Sequence, residues 1–248
     1  MQNSTELHSA YGGRSSSDYK LPVQLLKTED GSYTLFDPEQ QEAYHSKFGA
    51  LTESDQVYLR NSGVYERLAS QQPTSILEIG FGTGFNFVHT ASHARKHNCP
   101  LCYTAYEFRP LDKRLVLEVL INNAPQETQL CKFTADAIDR ITVPDTRASL
   151  SIDHQTELHL HHADVATQQW PAASFDAIYL DAFSKKNNPA LWCTDFLDNL
   201  YTAARPHALL ATYCVNGEFR ASLAAAGFDF KKLPGPRGKR EVLIASPA

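Results

Sequence analysis

The sequence lacks any apolar run that approaches the roughly eighteen residues needed to cross a membrane. Its opening stretch, MQNSTELHSAYGGRSSSDYK, has neither the apolar core of a signal peptide nor the arginine richness of a transit peptide. The five cysteines are odd in number and irregularly spaced, so they do not form a disulfide framework, and reduced thiols are the simpler interpretation. These absences predict a soluble, cytoplasmic protein with no membrane partner.

There is also little excess charge, because the formal net charge is −5. Such a balance gives no global attraction for nucleic acid, so a nucleic-acid partner would need a local basic surface. A chain of 248 residues that is 42% hydrophobic can build one substantial core. We expect a disordered tail at residues 1–18, a hairpin and helical extension at 19–72, and one main domain at 73–248.

The pattern of apolar residues predicts the fold. Residues 23–38 suggest two short strands around Asp30 and Gly31, and residues 53–68 carry an imperfect helical stripe. After Pro73, short apolar runs alternate with amphipathic segments, which indicates an α/β fold with a Rossmann-like, doubly wound, mostly parallel sheet. The predicted strands are 75–79, 101–108, 157–162, 175–180, 208–214 and 241–245, and residues 142–156 are predicted to form a loop.

The stretch SILEIGFGTGFNFVHT, residues 75–90, ends an apolar run in Gly80, Gly82 and Gly84. Glycines at such a turn allow backbone amides to approach a nucleotide closely. Dinucleotide sites have the spacing GxGxxG, whereas this chain has GxGxG, with Phe85 at the position of the third glycine. That spacing favours S-adenosyl-L-methionine over NAD, although a purely structural strand-to-helix turn has the same pattern.

Two carboxylates follow on the next predicted strands. Glu107 ends the run LCYTAYE, where it could accept hydrogen bonds from both ribose hydroxyls of a bound nucleoside. Asp164 follows ELHLHHA, where it could accept a hydrogen bond from the adenine amino group. The alternative for each is an ordinary solvated acid at a strand end or in a loop.

A fourth signal is FDAIYLDAFSKKNNPALW, residues 175–192. Its apolar strand delivers Asp181 to the carboxyl end, where open α/β sheets bind ligands. Asp181 could orient an amine, and Phe183 and Trp192 could stack on an extruded base. The alternative is that Asp181 caps the next turn while both aromatic residues belong to the core.

These motifs, with the tail AAAGFDFKKLPGPRGKREVLIA, resemble the methyltransferase domain of the tRNA 5-methylaminomethyl-2-thiouridine biosynthesis enzyme, the MnmC type. The segment EDGSYTLFDPEQQEAYHSKFGALTESDQVYL resembles the opening of stand-alone members without the oxidoreductase domain, and the likeness runs over residues 28–245. The family loop is close to DAFxPxKNPxMW. This chain has Asn187 where the family usually has lysine, with Lys185 and Lys186 just before it.

The resemblance implies transfer of the methyl group of S-adenosyl-L-methionine to the amine of a 5-aminomethyl-(2-thio)uridine at the tRNA wobble position. A separate oxidoreductase or upstream tRNA-modifying enzyme would then be a partner, since 248 residues leave no room for a flavin-binding domain. The predicted cofactor-binding residues are Glu78, Gly80, Phe81, Gly82, Gly84, Asn86, Glu107, Asp164 and Asp181. The predicted substrate-binding residues are Tyr44, His45, Phe183, Lys185, Lys186, Trp192, Lys239 and Arg240.

Asp181 is the predicted catalytic residue. An alkylammonium has no lone pair, so the substrate must lose a proton before it attacks a methyl group, and a neighbouring carboxylate can orient the amine and take that proton. The basic residues of the predicted tRNA surface are Lys185, Lys186, Lys231, Lys232, Arg237, Lys239 and Arg240. The C-terminal part of this set could equally be the solvated face of a hairpin.

Two other functions stay open. An aminopropyltransferase of the spermidine synthase type has a related fold, but this chain has Ala182 and Phe183 after Asp181 where that family has further acidic residues. A non-catalytic nucleotide- or RNA-binding module is the other alternative. We predict no metal site, because Cys99 and Cys102 have no second CxxC pair and only two of the histidines in HLHH share a strand face. The oligomeric state is not predicted.

Overall fold

The computed structural model describes residues 23–248, so the predicted tail at residues 1–18 lies outside the described part. The N-terminal extension begins with strands β1 (Gln24–Lys27) and β2 (Tyr33–Asp37), which pair antiparallel, as predicted. Asp30 accepts a hydrogen bond from the backbone N–H of Ser32 at 3.0 Å within the turn. A third strand, β3 (Glu42–Ala43), completes this small sheet.

The helical part of the extension consists of several helical segments, whereas the sequence predicts a single helical stripe. Helix α1 (Ala50–Glu53) continues into a π-helix (Ser54–Arg60), and Gly63, with φ of 74°, separates this from α2 (Val64–Ala69). A π-helix changes which residues share a face, so Val57, Tyr58 and Leu59 are all fully buried. The predicted stripe therefore did not include Tyr58, which is buried beside it.

Eight strands form the central sheet. They are β4 (Thr74–Ile79), β5 (Leu101–Glu107), β6 (Thr146–Ser151), β7 (Thr156–His162), β8 (Phe175–Leu180), β9 (Ala204–Thr212), β10 (Phe228–Pro234) and β11 (Glu241–Pro247). The longer helices between them are α3 (Phe85–Lys96), α4 (Lys113–Asn123), α5 (Thr128–Arg140), α6 (Thr194–Ala203) and α7 (Gly217–Ala225). Short 3₁₀ helices occupy Pro125–Glu127, Val165–Thr167 and Pro189–Trp192.

The sheet order is β10-β11-β9-β8-β4-β5-β7-β6. The five inner strands from β9 to β7 are parallel, and β10, β11 and β6 are antiparallel to their neighbours. The chain builds outward from β4 through β5 to β7 and then returns to β8. Ligands of open α/β sheets bind where the strand order reverses in this way, at the carboxyl ends of β4 and β8.

All six strands predicted after Pro73 are present in the central sheet, and two further strands of this sheet were not predicted. The predicted loop at residues 142–156 contains β6, which pairs with β7 at the sheet edge. Its sequence TRASLS alternates polar residues with Ala148 and Leu150, a period of two that polar composition obscured. Strand β10, reading FDFKKLP, pairs with β11 and is mostly exposed, so its apolar signal is weak.

Within residues 23–248, no helix combines the length and the apolar character that a membrane span requires.

Candidate active site

The glycine turn lets two other segments approach the end of β4. Gly80, Gly82 and Gly84 have φ values of 89°, 54° and 75°, a region that side chains with a Cβ rarely adopt. A Cβ at Gly80 would lie 2.7 Å from the carbonyl oxygen of Asp181, and one at Gly82 would lie 2.9 Å from Cδ1 of Tyr44. The glycine turn therefore packs closely against the segment that follows β8 and against the N-terminal extension.

A cavity of about 270 Å³, called the first cavity here, opens beside this turn. Its walls come from the glycine turn, from the carboxyl ends of β5, β7 and β8, and from the loop after β8. The lining residues include Gly80, Phe81, Gly82, Tyr106, Glu107, Phe108, Asp164, Val165, Asp181, Phe183, Asn187 and Leu191, with Tyr44 and His45 from the extension. The structure thus brings together most of the predicted cofactor-binding residues.

The carboxylate of Glu107 is fixed by backbone groups on both oxygens. Its Oε2 accepts from the N–H of Gly82 at 2.8 Å, and its Oε1 accepts from the N–H of Arg109 at 2.7 Å. Each carboxylate oxygen has a second lone pair, so both remain able to accept from a ligand hydroxyl. Asp164 also lines the cavity while its Oδ1 accepts from the N–H of Ala166 at 3.0 Å.

Asp181 is held by two side chains from different elements. Its Oδ1 accepts a hydrogen bond from the hydroxyl of Tyr58, and its Oδ2 accepts from Nδ2 of Asn86 at 2.8 Å. Burial, followed by the negative charge of Glu53, raises the pKa of Asp181 to about 8, against the opposing effects of Tyr58, Lys239 and Asn86. A carboxyl group with this pKa can exchange a proton near neutral pH.

A second cavity, of about 360 Å³, lies on the other side of Asp181. It is lined by residues of the extension, of the segment after β8, of the segment after β9 and of the β10–β11 turn. These include Glu42, Lys47, Phe48, Glu53, Tyr213, Gly238 and Lys239. Both cavities share Tyr44, His45, Asp181, Ala182 and Phe183, so Asp181 lies in their common wall.

Some predicted cofactor-binding residues lie behind the wall. Glu78 and Asn86 are buried at 0% and 3% exposure, and the described lining of the first cavity includes neither of these residues nor Gly84. Asn86 instead donates to Glu78 Oε1 at 2.8 Å and accepts from Ser54 Oγ at 2.6 Å. Asn86 therefore links Glu78 to Asp181 behind the wall. The cofactor-binding role of Glu78, Gly84 and Asn86 stays a prediction, since none of the three lines the first cavity.

The structure contradicts the stacking role predicted for Trp192. The side chain is 1% exposed, contacts Phe219 edge-to-face with ring centroids 5.0 Å apart, and donates to the carbonyl oxygen of Phe183. Trp192 thus belongs to the core, the alternative that the sequence had left open. Phe183 itself is half-buried, lines both cavities and contacts Tyr44 edge-to-face at 5.0 Å.

The lysines after Asp181 lie outside both cavities. Lys185 is exposed and pairs with Glu218, and Lys186 is also exposed. Asn187 donates to the carbonyl oxygen of Gln40 at 3.0 Å and to Oε1 of Glu42 at 2.8 Å, so it ties the loop to the extension.

Lys239 and Arg240, the two predicted substrate-binding residues near the C-terminus, have different surroundings. Arg240 is exposed, whereas the Lys239 side chain is 26% exposed and its ammonium contacts Glu53 inside the second cavity. Lys239 therefore does not contribute to an open basic surface. His45 is also buried, and burial lowers the pKa of its imidazole, which favours the neutral form.

Sequence reasoning missed three polar residues at this site. Tyr58 lies beside the predicted stripe and reaches Asp181 from the π-helix. Glu53 is an acid at 2% exposure, and Tyr213 follows β9 and donates to the carbonyl oxygen of Ala182 at 2.8 Å. No local motif marks them, because their contacts join positions far apart in the chain.

A glycine turn and two strand-end carboxylates around a cavity at the switch point of this sheet define a Rossmann-like class I methyltransferase. The donor set fits S-adenosyl-L-methionine, since Glu107 can accept from a ribose diol, Asp164 from an amino group, and Phe108, at 64% exposure, offers a ring at the rim. A family model described as S-adenosyl-L-methionine-dependent methyltransferase matches residues 125–248. The chain belongs to this family.

Individual relatives agree with this family assignment. The chain is 31% identical over 241 residues to the tRNA 5-methylaminomethyl-2-thiouridine biosynthesis bifunctional protein MnmC of Burkholderia thailandensis, and 32% identical over 236 residues to that of Paraburkholderia xenovorans. Each match covers 92% of this chain and 35% of the relative, so the chain spans about a third of their length. The crystal structure of MNMC2 from Aquifex aeolicus superposes with a TM-score of 0.73 at 25% identity, covering 91% of this chain and 70% of that one.

Proposed function

We propose that this protein methylates the primary amine of 5-aminomethyl-(2-thio)uridine at the wobble position of tRNA, giving 5-methylaminomethyl-(2-thio)uridine. The relatives that are named for the biosynthesis of this tRNA nucleoside support the proposal. The observation that carries it is the position of Asp181 in the common wall of two cavities. The first cavity suits the cofactor. The second cavity suits the substrate amine, which must reach the cofactor's methyl group beside Asp181.

S-adenosyl-L-methionine, when bound, supplies an electrophilic methyl group on a positively charged sulfur. The carboxylates of Glu107 and Asp164 would hold its nucleoside part, and the backbone of the glycine turn would limit its position. Tyr44 and Phe183 lie between the cavities and would restrict water near the reacting atoms.

Asp181 has the central role in proton transfer. The substrate amine arrives mostly as an ammonium, and its nitrogen gains a lone pair only when one proton leaves. Although the pKa of Asp181 is about 8 in the ligand-free protein, a cationic ligand beside it favours the carboxylate. Asp181 can then accept the proton, while Tyr58 and Asn86 keep its two oxygens in place.

The proposed reaction also implies a preceding one. A separate enzyme must leave a primary amine on the uridine, and an oxidoreductase that removes an N-carboxymethyl group is the class we propose. Both enzymes would act in the cytoplasm, where tRNA is found.

The decisive experiment uses methyl-labelled S-adenosyl-L-methionine with tRNA that carries 5-aminomethyluridine, and with the same tRNA without that modification. We expect label in 5-methylaminomethyluridine from the first tRNA only, identified by nucleoside mass spectrometry. Putrescine with decarboxylated cofactor tests the aminopropyltransferase alternative in parallel. Transfer to putrescine, or no transfer to either tRNA, would contradict the proposal.

A further inference from the structure

The second cavity already contains a primary alkylammonium, that of Lys239. Its Nζ contacts the carboxylate of Glu53 and lies 4.2 Å from the ring centroid of Tyr213. A carboxylate and an aromatic face are the two groups that bind ammonium ions most effectively in proteins. The geometry therefore describes a formed ammonium subsite with a side chain of the protein in it.

The C-terminal hairpin brings this lysine into the cavity. Gly238 has φ of 85°, and a Cβ there would lie 1.9 Å from a ring carbon of Phe48 in the extension. The backbone of the β10–β11 turn thus contacts Phe48 directly, and Lys239, the next residue, reaches Glu53. The lysine stem is long and has several rotatable bonds, so its ammonium can leave without any movement of the hairpin.

Glu53 is built to receive a cation. The side chain is 3% exposed, and one oxygen accepts from the backbone N–H of Ser46 at 2.7 Å while the other contacts Lys239. A buried carboxylate without a cation would be costly, so the ionised form of Glu53 requires a positive charge next to it. Either Lys239 or an ammonium ligand satisfies this requirement.

The charged groups around the cavity show which acids can face an ammonium ligand. Its wall contains the carboxyl groups of Glu42, Glu53 and Asp181 against the ammonium groups of Lys47 and Lys239. His45 is neutral at neutral pH because burial lowers its pKa. Glu42 is engaged by Ser184 and by Asn187 at 2.8 Å, so Glu53 and Asp181 are the two acids that can face a ligand once the Lys239 ammonium has left.

We propose that Glu53 and the ring of Tyr213 form the subsite that receives the substrate's ammonium group, and that Lys239 occupies this subsite until the substrate displaces it. The inference rests on the proposed function and specifies which residues recognise the amine. In this arrangement the incoming ammonium lies between Glu53 and Asp181, and the proton it loses passes to the Asp181 carboxylate. Lys239 is then an internal competitor and not a ligand of the substrate.

The test measures equilibrium binding and does not require turnover. The probe is the nucleoside 5-aminomethyluridine, titrated by calorimetry in the presence of saturating S-adenosylhomocysteine, and 5-methyluridine is the uncharged control. We expect Lys239→Met to bind the amine probe roughly tenfold more tightly. Without the internal ammonium, the subsite is empty in all molecules, so the population of the binding-competent state is no longer reduced. We expect Glu53→Gln to bind it roughly tenfold less tightly, through loss of a charge-assisted hydrogen bond.

Lys232→Met is the matched control, because Lys232 lies on the same hairpin and its ammonium pairs with Glu241 at 2.7 Å on the surface. It should bind the amine probe as the wild type does. If Lys239 were only a structural ion-pair partner, Lys239→Met would bind the probe equally well or more weakly, and this result would overturn the inference. Unchanged affinity in Glu53→Gln, with its fold confirmed by circular dichroism, would overturn it as well.

The two proposals fail separately. If wild-type protein methylates aminomethyluridine in tRNA but neither it nor Lys239→Met binds the amine probe, the ammonium subsite is wrong and the proposed function stands. If the probe binds with the expected order of affinities but no tRNA is methylated, the subsite stands and the proposed function is wrong.

Discussion

Tyr58 donates its hydroxyl hydrogen bond to the carboxylate of Asp181, across a separation of 123 residues in the chain. The tyrosine comes from the π-helix of the extension, and the aspartate ends a central strand of the sheet. Since Asn86 holds the other carboxylate oxygen, both oxygens have fixed positions. The extension therefore contributes a side chain to the candidate active site. π-Helical segments often occur at functional sites, and this one positions Tyr58.

The catalytic role proposed for Asp181 gives the first prediction. Asp181→Asn keeps the side-chain volume but loses the proton acceptor, so the single-turnover methylation rate should fall by roughly 100-fold. Raising the pH should partly restore the rate, because more of the amine is then already neutral. The measurement is a pH series with saturating cofactor and tRNA carrying aminomethyluridine. A variant as fast as wild type, with the same pH profile, would show that Asp181 only caps the turn.

The same substitution should stabilise the ligand-free protein. The pKa of Asp181 is raised from 3.8 to about 8, so the folded state binds the proton more tightly than the unfolded state. The resulting stability is complete below pH 3.8 and is lost as the pH rises through 8. Asparagine has no such titration. Thermal melts of wild type and Asp181→Asn should therefore diverge in favour of the variant from pH 5 to pH 8.5, and parallel curves would contradict the raised pKa.

Tyr58→Phe should change the pH dependence without removing the acid. The tyrosine hydrogen bond favours the carboxylate form, so its loss raises the pKa of Asp181 and moves the rise of the methylation rate to higher pH. A hydrogen bond contributes about 1 kcal/mol, so the rate at pH 7 should fall by roughly fivefold. Tyr201→Phe is the control, because Tyr201 lies in α6 and its ring contacts Phe228 of β10. Equal pH profiles for the two variants would refute the positioning role.

Gly82 should tolerate no side chain while Tyr44 is present. Its φ of 54° and the 2.9 Å approach of a Cβ to the Tyr44 ring both oppose Gly82→Ala, and we expect the affinity for S-adenosyl-L-methionine to fall roughly tenfold. The double variant Gly82→Ala with Tyr44→Ala removes the clash. Calorimetry should show partial recovery of affinity relative to Gly82→Ala, whereas no recovery would indicate that the added Cβ blocks the ligand directly.

Six of the seven basic residues predicted for the tRNA surface are exposed, and Lys239 lies in the second cavity. Lys185, Lys232 and Arg237 each pair with a glutamate, so the residues at positions 186, 231 and 240 are the ones to test. Replacing Lys186, Lys231 and Arg240 together with alanine should weaken tRNA binding and reduce its salt dependence, because fewer phosphates are neutralised. Affinity for S-adenosyl-L-methionine should not change. Filter binding over a salt series measures both effects, and a slope equal to that of wild type would mean that these residues form only a solvated surface.

The sequence by itself determined the parts of this protein that depend on neighbouring residues. Periodic apolar runs gave the inner strands, because burial on both faces of a parallel strand leaves a continuous signal. The spacing of Gly80, Gly82 and Gly84 and the acids at strand ends pointed to the position of the first cavity, since strand ends meet at one edge of the sheet. Edge strand β6 was missed because a mostly polar strand has only a weak alternation.

Only the tertiary structure decided how the reaction site is completed. Trp192 could be a stacking ring or a core residue by sequence, and its contact with Phe219 makes it core. Lys239 could be surface or site, and the contact of its hairpin with Phe48 brings it to Glu53. The pKa of Asp181 likewise depends on burial and on groups from four separate elements, which no local pattern encodes. Charges in a buried site act through space, so their partners follow from the fold and not from sequence order.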